Sequence, residues 1–494
     1  MKKIFNKNAL FLFLLPVFFV FHGCAENFGF ISVKDCLLLL ATYVPVTLVV
    51  YLLLYWAYRN VAKAALLAFI LLGFYLFFGA IYDFLKEYAS PLHKYRILVP
   101  LFFVLVLCMI VYLKKTSNTF QRITFFLNLL FTVYLLFDIA GITWKFMHPV
   151  PDKFSVYHFT EANQYTSCET CENPDIYFLI FDEYSSSLSL QEHYGFHNDL
   201  DSFLLKRDFH IQTKGYSNYN YTPASIASML NISYIKGIRP NTLFTIDDYG
   251  RSQKLIKNNE VIKFLSQRGY SIINCSAFDL AGSPSPVVQL FLPLNTRLIT
   301  DKTLLSRMYR DVGWMASNIA WLGDYYFFRV MRVNQKLLKM TKELSAAKSN
   351  RPKFIYAHFY LPHDPFYFDS TGHLRSKKAM QEDGRFANRP SKAYLDYLMY
   401  SNTEIKNLID TIRTNTGGKA VIMVMGDHGF REYIETNTMQ SFQAMNAIYL
   451  PGKDYHLFYD SISSVNQFRV VFNTLFKQSI PLLKDSTVFL AGKE

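Results

Sequence analysis

Four places in this sequence carry residue types that could do chemistry on a tetrahedral anion. Thr222 stands in the stretch Ser217-Asn218-Tyr219-Asn220-Tyr221-Thr222-Pro223-Ala224-Ser225-Ile226-Ala227-Ser228-Met229-Leu230, a polar and aromatic loop running into a helix. A hydroxyl at a helix start sees unpaired amide N–H groups and the positive end of the dipole, which suit a phosphate or sulfate. The plain alternative is an N-cap. Asp182-Glu183, His363-Asp364 and Asp427-His428 are the other three places. With Thr222 they supply carboxylate, hydroxyl, carboxylate and imidazole, a donor set for one divalent metal, zinc or manganese. Such a metal would lower the pKa of the Thr222 hydroxyl and offset charge on the anion. The alkoxide would attack phosphorus or sulfur, and water or an alcohol would then take the group from the covalent intermediate. His363 could hold the anion's oxygens or protonate the leaving group. Arg431 could add charge stabilisation or be a solvated surface side chain, and Asn220, beside the nucleophile, is a further expected substrate contact. Either Asp182 or Glu183 could bind the metal, with a slight lean to Asp182, or either could cap the helix that follows. His358 reads as a core histidine.

These residues need elements that bring them together. Pro174–Phe181 is a continuous apolar, β-rich run ending directly in Asp182-Glu183. Similar runs cover 270–275, 353–357, 420–425 and 447–450, with helical patterns near 187–194, 198–207, 261–268, 392–414 and 464–477. Buried strands alternating with helices predict a doubly wound α/β sheet, whose carboxyl edge is the usual ligand edge. Three strands ending in polar clusters would then converge there. Gly426 and Gly429, either side of Asp427-His428, are expected to permit a turn. Residues 285–350 are aromatic and basic, with a helix expected near 333–346. Their apolar faces fit either the domain or a membrane.

The first third of the 494 residues is nearly saturated with Leu, Phe, Val and Ile. Apolar runs at 8–23, 36–56, 62–82, 97–113 and 122–144 predict five spans. Lys2, Lys3 and Lys7, then Arg59 and Lys63, then Lys114, Lys115 and Arg122 flank alternate spans. The positive-inside rule therefore puts the N-terminus in the cytoplasm and everything after Trp144 outside. The expected division is a membrane domain over 1–145, a linker over 146–173 and a catalytic domain over 174–494. Asp138, inside the fifth span, predicts a contact with another helix, a lipid head group or interfacial water. The net charge of +13 fits cytoplasmic loop charge and anionic lipid, and no Lys/Arg-rich run points to nucleic acid. Of six cysteines, Cys168 and Cys171 form a CxxC, read as a local disulfide in an oxidising compartment.

Phe-Asp-Glu-Tyr, Tyr-Thr-Pro-Ala-Ser, Leu-Pro-His-Asp-Pro-Phe and Gly-Asp-His-Gly together resemble the motifs of the alkaline phosphatase/sulfatase superfamily. The architecture is similar to lipoteichoic acid synthases and lipid A phosphoethanolamine transferases. That resemblance implies five transmembrane helices followed by a sulfatase-like α/β domain on the outer face of a bacterial inner membrane. It makes Thr222 the nucleophile, places Asp182 or Glu183, Thr222, Asp427 and His428 around the metal, and puts His363 on the transferred group. It implies transfer of phosphoethanolamine or phosphoglycerol from a phospholipid donor to an envelope glycan or lipid acceptor. A phosphodiester or sulfate-ester hydrolase, or a non-catalytic envelope assembly protein, are the alternatives. Thr222 replaces the cysteine or serine that sulfatases convert to formylglycine, and the arginine of that motif is absent, which argues against that route. Phosphoethanolamine transferases usually carry a further histidine after Asp-His-Gly; none occurs between Gly429 and Tyr455, which favours a single metal.

Overall fold

A computed structural model describes residues 8–148, 153–158, 168, 170–289, 292–293, 296–316, 324, 327–383, 391–431 and 438–491. Lys2, Lys3 and Lys7, and much of the expected linker, lie outside the described residues. The chain divides into two units: Met1–Pro151 with Val288–Phe328, and Asp152–Val287 with Arg329–Glu494.

The first unit holds α1 (Phe11–Glu26), α2 (Val33–Tyr58), α3 (Val61–Tyr88), α4 (Tyr95–Lys115) and α5 (Gln121–Met147). The five expected spans fall on these five helices. Four of them, α2 to α5, are long and apolar enough to cross a membrane. The 16-residue α1 rises only about 24 Å, less than the roughly 30 Å of a hydrocarbon core. Its Phe11, Leu12, Leu15, Phe19 and Val20 are buried in one cluster with Leu39 of α2, Leu72 of α3 and Phe131 of α5. Apolar side chains of α4 such as Phe103 and Val104 are instead exposed, as a lipid-facing helix requires. Asn128 of α5 meets the start of α1, accepting from Phe11 N at 2.6 Å and donating to Asn8 O at 2.8 Å. Those are backbone groups that the helix itself cannot pair. Asp138 contacts another helix: its Oδ1 lies 3.1 Å from His22 Nδ1 of α1. Cys24 and Cys36, at the end of α1 and the start of α2, are joined, as are Cys168 and Cys171.

Residues Val288–Phe328 belong with these helices, so the expected domain over 174–494 is interrupted. Leu292 and Ile299 join the α1–α3 cluster. A non-helical residue at Phe77 breaks the ladder of α3, and Gly79 N donates to Lys302 O at 2.7 Å. A Cβ on Gly79 would sit 3.0 Å from Lys302 backbone atoms, so the close approach needs glycine. Arg307 pairs with Asp83 of α3. The open question over 285–350 thus splits: the first part packs on the membrane helices, and the helix Arg329–Ala346 belongs to the second unit.

The second unit is organised by a six-stranded sheet. Its strands are β1 (Ile176–Phe181), β2 (His210–Ile211), β3 (Ser271–Cys275), β4 (Lys353–Phe359), β5 (Val421–Gly426) and β6 (Asn446–Tyr449). They run in the order β2-β6-β5-β1-β4-β3. Strands β5, β1, β4 and β3 are parallel, β6 runs antiparallel beside β5, and the edge strand β2 pairs antiparallel with β6. Every residue of β1, β4 and β5 is buried, which explains their unbroken apolar runs. Phe178 packs edge-on to Phe468 of the closing helix Ser464–Phe476, and Phe264 lies 4.3 Å from Phe472. Register decides the site. Phe181 is level with Phe359 on one side and Gly426 on the other, so β1, β4 and β5 end at one height.

Candidate active site

One residue past that common height stand Asp182 and Asp427, and His428 follows. Their ligand atoms lie within 4.8 Å of one another, and all three residues are buried. His428 Nε2 is 3.4 Å from Asp427 Oδ2 and 3.9 Å from Asp182 Oδ1. The two glycines either side of the turn after β5 are required by close approach of other backbone. A Cβ on Gly426 would lie 2.4 Å from Tyr184 O, and one on Gly429 would lie 2.0 Å from Gln440 O.

Each ligand has one atom engaged by the protein and one left over. Asp427 Oδ1 accepts from Glu183 N at 3.0 Å and from His428 N at 2.9 Å, while its buried Oδ2 makes no hydrogen bond. His428 Nδ1 lies 2.9 Å from Gly429 O, so Nδ1 carries the hydrogen and Nε2 presents a lone pair. Asp182 Oδ1 is likewise buried without a partner. Two orphaned carboxylate oxygens beside an imidazole nitrogen with its lone pair inward are costly without a cation and fit one well. Burial alone would raise the Asp182 carboxyl. The charge of His363 and then the hydrogen bond from His358 are the leading causes that outweigh it and lower the carboxyl to about 2.

Thr222 completes the cluster. The helix is Thr222–Leu230, and its N-cap is Tyr221, whose side chain makes no cap hydrogen bond. Thr222 is the first helical residue, so its hydroxyl is not a cap. Thr222 Oγ1 lies 3.2 Å from His428 Nε2. The helix is tied to the end of β5 by Ser225 Oγ, which donates to Asp427 O at 2.5 Å. Its small residues Ala224, Ser225, Ala227 and Ser228 are all buried, allowing that approach.

Glu183 goes elsewhere. With a backbone φ of +61°, unusual for a residue with a side chain, it turns away from Asp182. Its ligand atoms group with His363 and Asp364. Arg431 Nε is 3.1 Å from Glu183 Oε1, and His363 Nε2 is 3.9 Å from Glu183 Oε2. The Arg431 guanidinium also sits 5.1 Å from the ring centre of Tyr221, the residue before Thr222. Arg431 is therefore a paired, mostly buried side chain, not a solvated one. His363 Nδ1 lies 2.7 Å from Asp364 O, which leaves Nε2 on the Glu183 side. Asn220 departs from expectation. It is fully buried, accepts from Leu490 N at 2.8 Å and donates to Leu490 O at 3.0 Å, so it pins the loop and offers no substrate contact. His358 reads in the sequence as a core histidine. It is buried, but its Nε2 is 3.6 Å from Asp182 Oδ2, which the alternation of polar Tyr356 and His358 within an apolar strand could have signalled.

Comparison with known proteins bears on this arrangement. A family model described as Sulfatase matches residues 193–470, a span that takes in Thr222, His358, His363, Asp427 and His428 and starts after Asp182. Among solved structures, the C-terminal periplasmic domain of EcEptC from Escherichia coli is 12% identical, over 66% of this chain and 91% of that one, with a TM-score of 0.39. Its complex with Zn is 11% identical over 63% and 84%, with a TM-score of 0.38. The corresponding domain of the phosphoethanolamine transferase EptC from Campylobacter jejuni is 11% identical over 62% and 90%, with a TM-score of 0.36. No curated protein sequence matches.

Proposed function

We propose a function from one premise: this chain belongs to the sulfatase family, within the alkaline phosphatase/sulfatase superfamily. It is a metal-dependent transferase that moves a phosphorylated head group, phosphoethanolamine or phosphoglycerol, from a membrane phospholipid to an envelope glycan or lipid. Thr222 is the nucleophile and carries the group between the two half-reactions. The observation that supports this most is the Thr222 hydroxyl. It starts a helix, caps nothing, and stands 3.2 Å from His428 Nε2 beside two unpartnered carboxylate oxygens.

Asp182, Thr222, Asp427 and His428 would hold one divalent cation, zinc or manganese. When bound, the cation supplies charge that favours the Thr222 alkoxide and offsets the phosphoryl oxygens. In the first half-reaction the Thr222 Oγ–phosphorus bond forms and the bond from phosphorus to the diacylglycerol oxygen breaks. His363, whose Nε2 lies 3.9 Å from Glu183 Oε2, protonates that leaving oxygen. Arg431, held by Glu183, orients the anion. In the second half-reaction an acceptor hydroxyl attacks phosphorus and gives its proton to His363, the Thr222 Oγ–phosphorus bond breaks, and Thr222 regains from water the proton it lost to water in the first.

The enzyme sits in the inner membrane of a bacterium, with Asp152–Val287 and Arg329–Glu494 on the outer side; four helices long and apolar enough to cross a membrane support the membrane part of this reading. Charge distribution supports that orientation. So do the joined pairs Cys24–Cys36 and Cys168–Cys171, which both lie on the stretches assigned outside. The test is an assay of the detergent-solubilised protein with phosphatidylethanolamine or phosphatidylglycerol vesicles. Metal-dependent diacylglycerol release, with the head group recovered on an added glycan or lipid acceptor, is the expected result. Release of the free head group instead would establish the hydrolase reading. No turnover of either lipid with zinc or manganese present would contradict the proposal.

A further inference from the structure

Asp182 and Asp427 offer the same atom type from neighbouring strands, but their second oxygens are held differently. Asp427 Oδ1 is fixed by two backbone amides, at 3.0 and 2.9 Å. Asp182 Oδ2 faces a side chain, His358 Nε2, at 3.6 Å. This is slightly longer than an ordinary hydrogen bond. His358 is 3% exposed and its Nε2 makes no other hydrogen bond. Two residues earlier on the same face of β4 stands Tyr356, fully buried, with its hydroxyl 3.1 Å from His358 Nδ1.

The carboxylate decides the tautomer. A lone pair on Nε2 would confront the lone pairs of Asp182 in a dry site, so Nε2 carries the hydrogen. Nδ1 is then the acceptor, and the Tyr356 hydroxyl must donate to it. We propose that Tyr356 and His358 are positioning residues for Asp182: Tyr356 O–H donates to His358 Nδ1, and His358 Nε2–H points at Asp182 Oδ2, which leaves Asp182 Oδ1 for the metal. His358 thereby does for Asp182 what two amides do for Asp427. The inference rests on the reading that the Asp182, Thr222, Asp427 and His428 cluster holds a cation. Partners of this kind, standing behind a ligand, typically change metal affinity 10- to 100-fold.

The experiment is calorimetric titration of the full-length chain in detergent with zinc alone, and then with manganese alone. It compares the unaltered protein with Tyr356→Phe, His358→Leu and His358→Gln, and records thermal unfolding of each in chelator. Tyr356→Phe is expected to weaken binding about tenfold and His358→Leu about 10- to 100-fold. His358→Gln places an amide N–H near the position of Nε2 and is expected to stay within about threefold of the unaltered protein. Unfolding midpoints in chelator are expected to stay together for Tyr356→Phe and His358→Gln. Unchanged affinity in both Tyr356→Phe and His358→Leu would overturn the inference while leaving the metal site standing. Equal losses in His358→Gln and His358→Leu, or affinity losses matched by losses of metal-free stability, would overturn it as well. An unaltered protein that binds neither metal would remove the metal reading and this inference together.

Discussion

Asp182 and Glu183 are consecutive, yet they serve two clusters of opposite character. Asp182 joins Asp427, His428 and Thr222 in a pocket with unpartnered carboxylate oxygens. Glu183 joins His363 and Asp364, where Arg431 neutralises it and where His363 and Asp364 remain partly exposed. The cause is local. A parallel strand end sends Asp182 toward β4 and β5, and one left-handed residue at Glu183 redirects the next side chain. One cluster presents unpartnered carboxylate oxygens; in the other, Arg431 pairs with the carboxylate.

The largest expected effects belong to the first cluster. Thr222→Ala and Asp427→Asn should each lower head-group transfer by about a thousandfold or more, since they remove the nucleophile and a ligand. They should differ in metal content: Asp427→Asn loses zinc by elemental analysis of the purified protein, whereas Thr222→Ala keeps most of it. Next comes His363→Gln, with a loss of about 100-fold in kcat that shrinks when the lipid carries a leaving group needing no proton. If that loss is the same for every leaving group, His363 holds the anion instead of protonating the leaving oxygen.

Glu183→Gln should cost less, about tenfold in kcat/KM, while zinc content stays that of the unaltered protein. Zinc loss equal to that of Asp182→Asn would merge the two clusters and undo the comparison. The smallest expected effect is that of Arg431→Lys. It keeps the charge but loses the planar fork beside Glu183 and Tyr221, and should raise KM about threefold with little change in kcat.

Much of this was legible in the sequence because its signals were redundant. The runs Ile176–Phe181 and Val421–Gly426 are apolar on both faces, as only buried central strands are, and each ends abruptly in charge. The helix at Thr222 was readable from its Pro223 and the small residues after it. Three things were not readable. Asp182 and Glu183 could not be separated, because the φ at Glu183 is a tertiary outcome. Asn220 looked like a substrate contact because its partner, Leu490, is 270 residues away. Val288–Phe328 looked like part of one continuous domain because the helical apolar period of Leu304–Ala316 marks a buried face without saying which surface it covers. Gly79 and Asp83 on α3, which receive that segment, are unremarkable in isolation.

The central claim is that Thr222 carries the transferred group. It is tested most directly by mass spectrometry of the peptide containing Thr222, after the purified protein is incubated with donor phospholipid and metal but no acceptor. A single added mass equal to phosphoethanolamine or phosphoglycerol, localised to Thr222 and removed on adding acceptor, is the predicted result. Turnover of the donor with Thr222 unmodified throughout, or full activity in Thr222→Ala, would contradict the account.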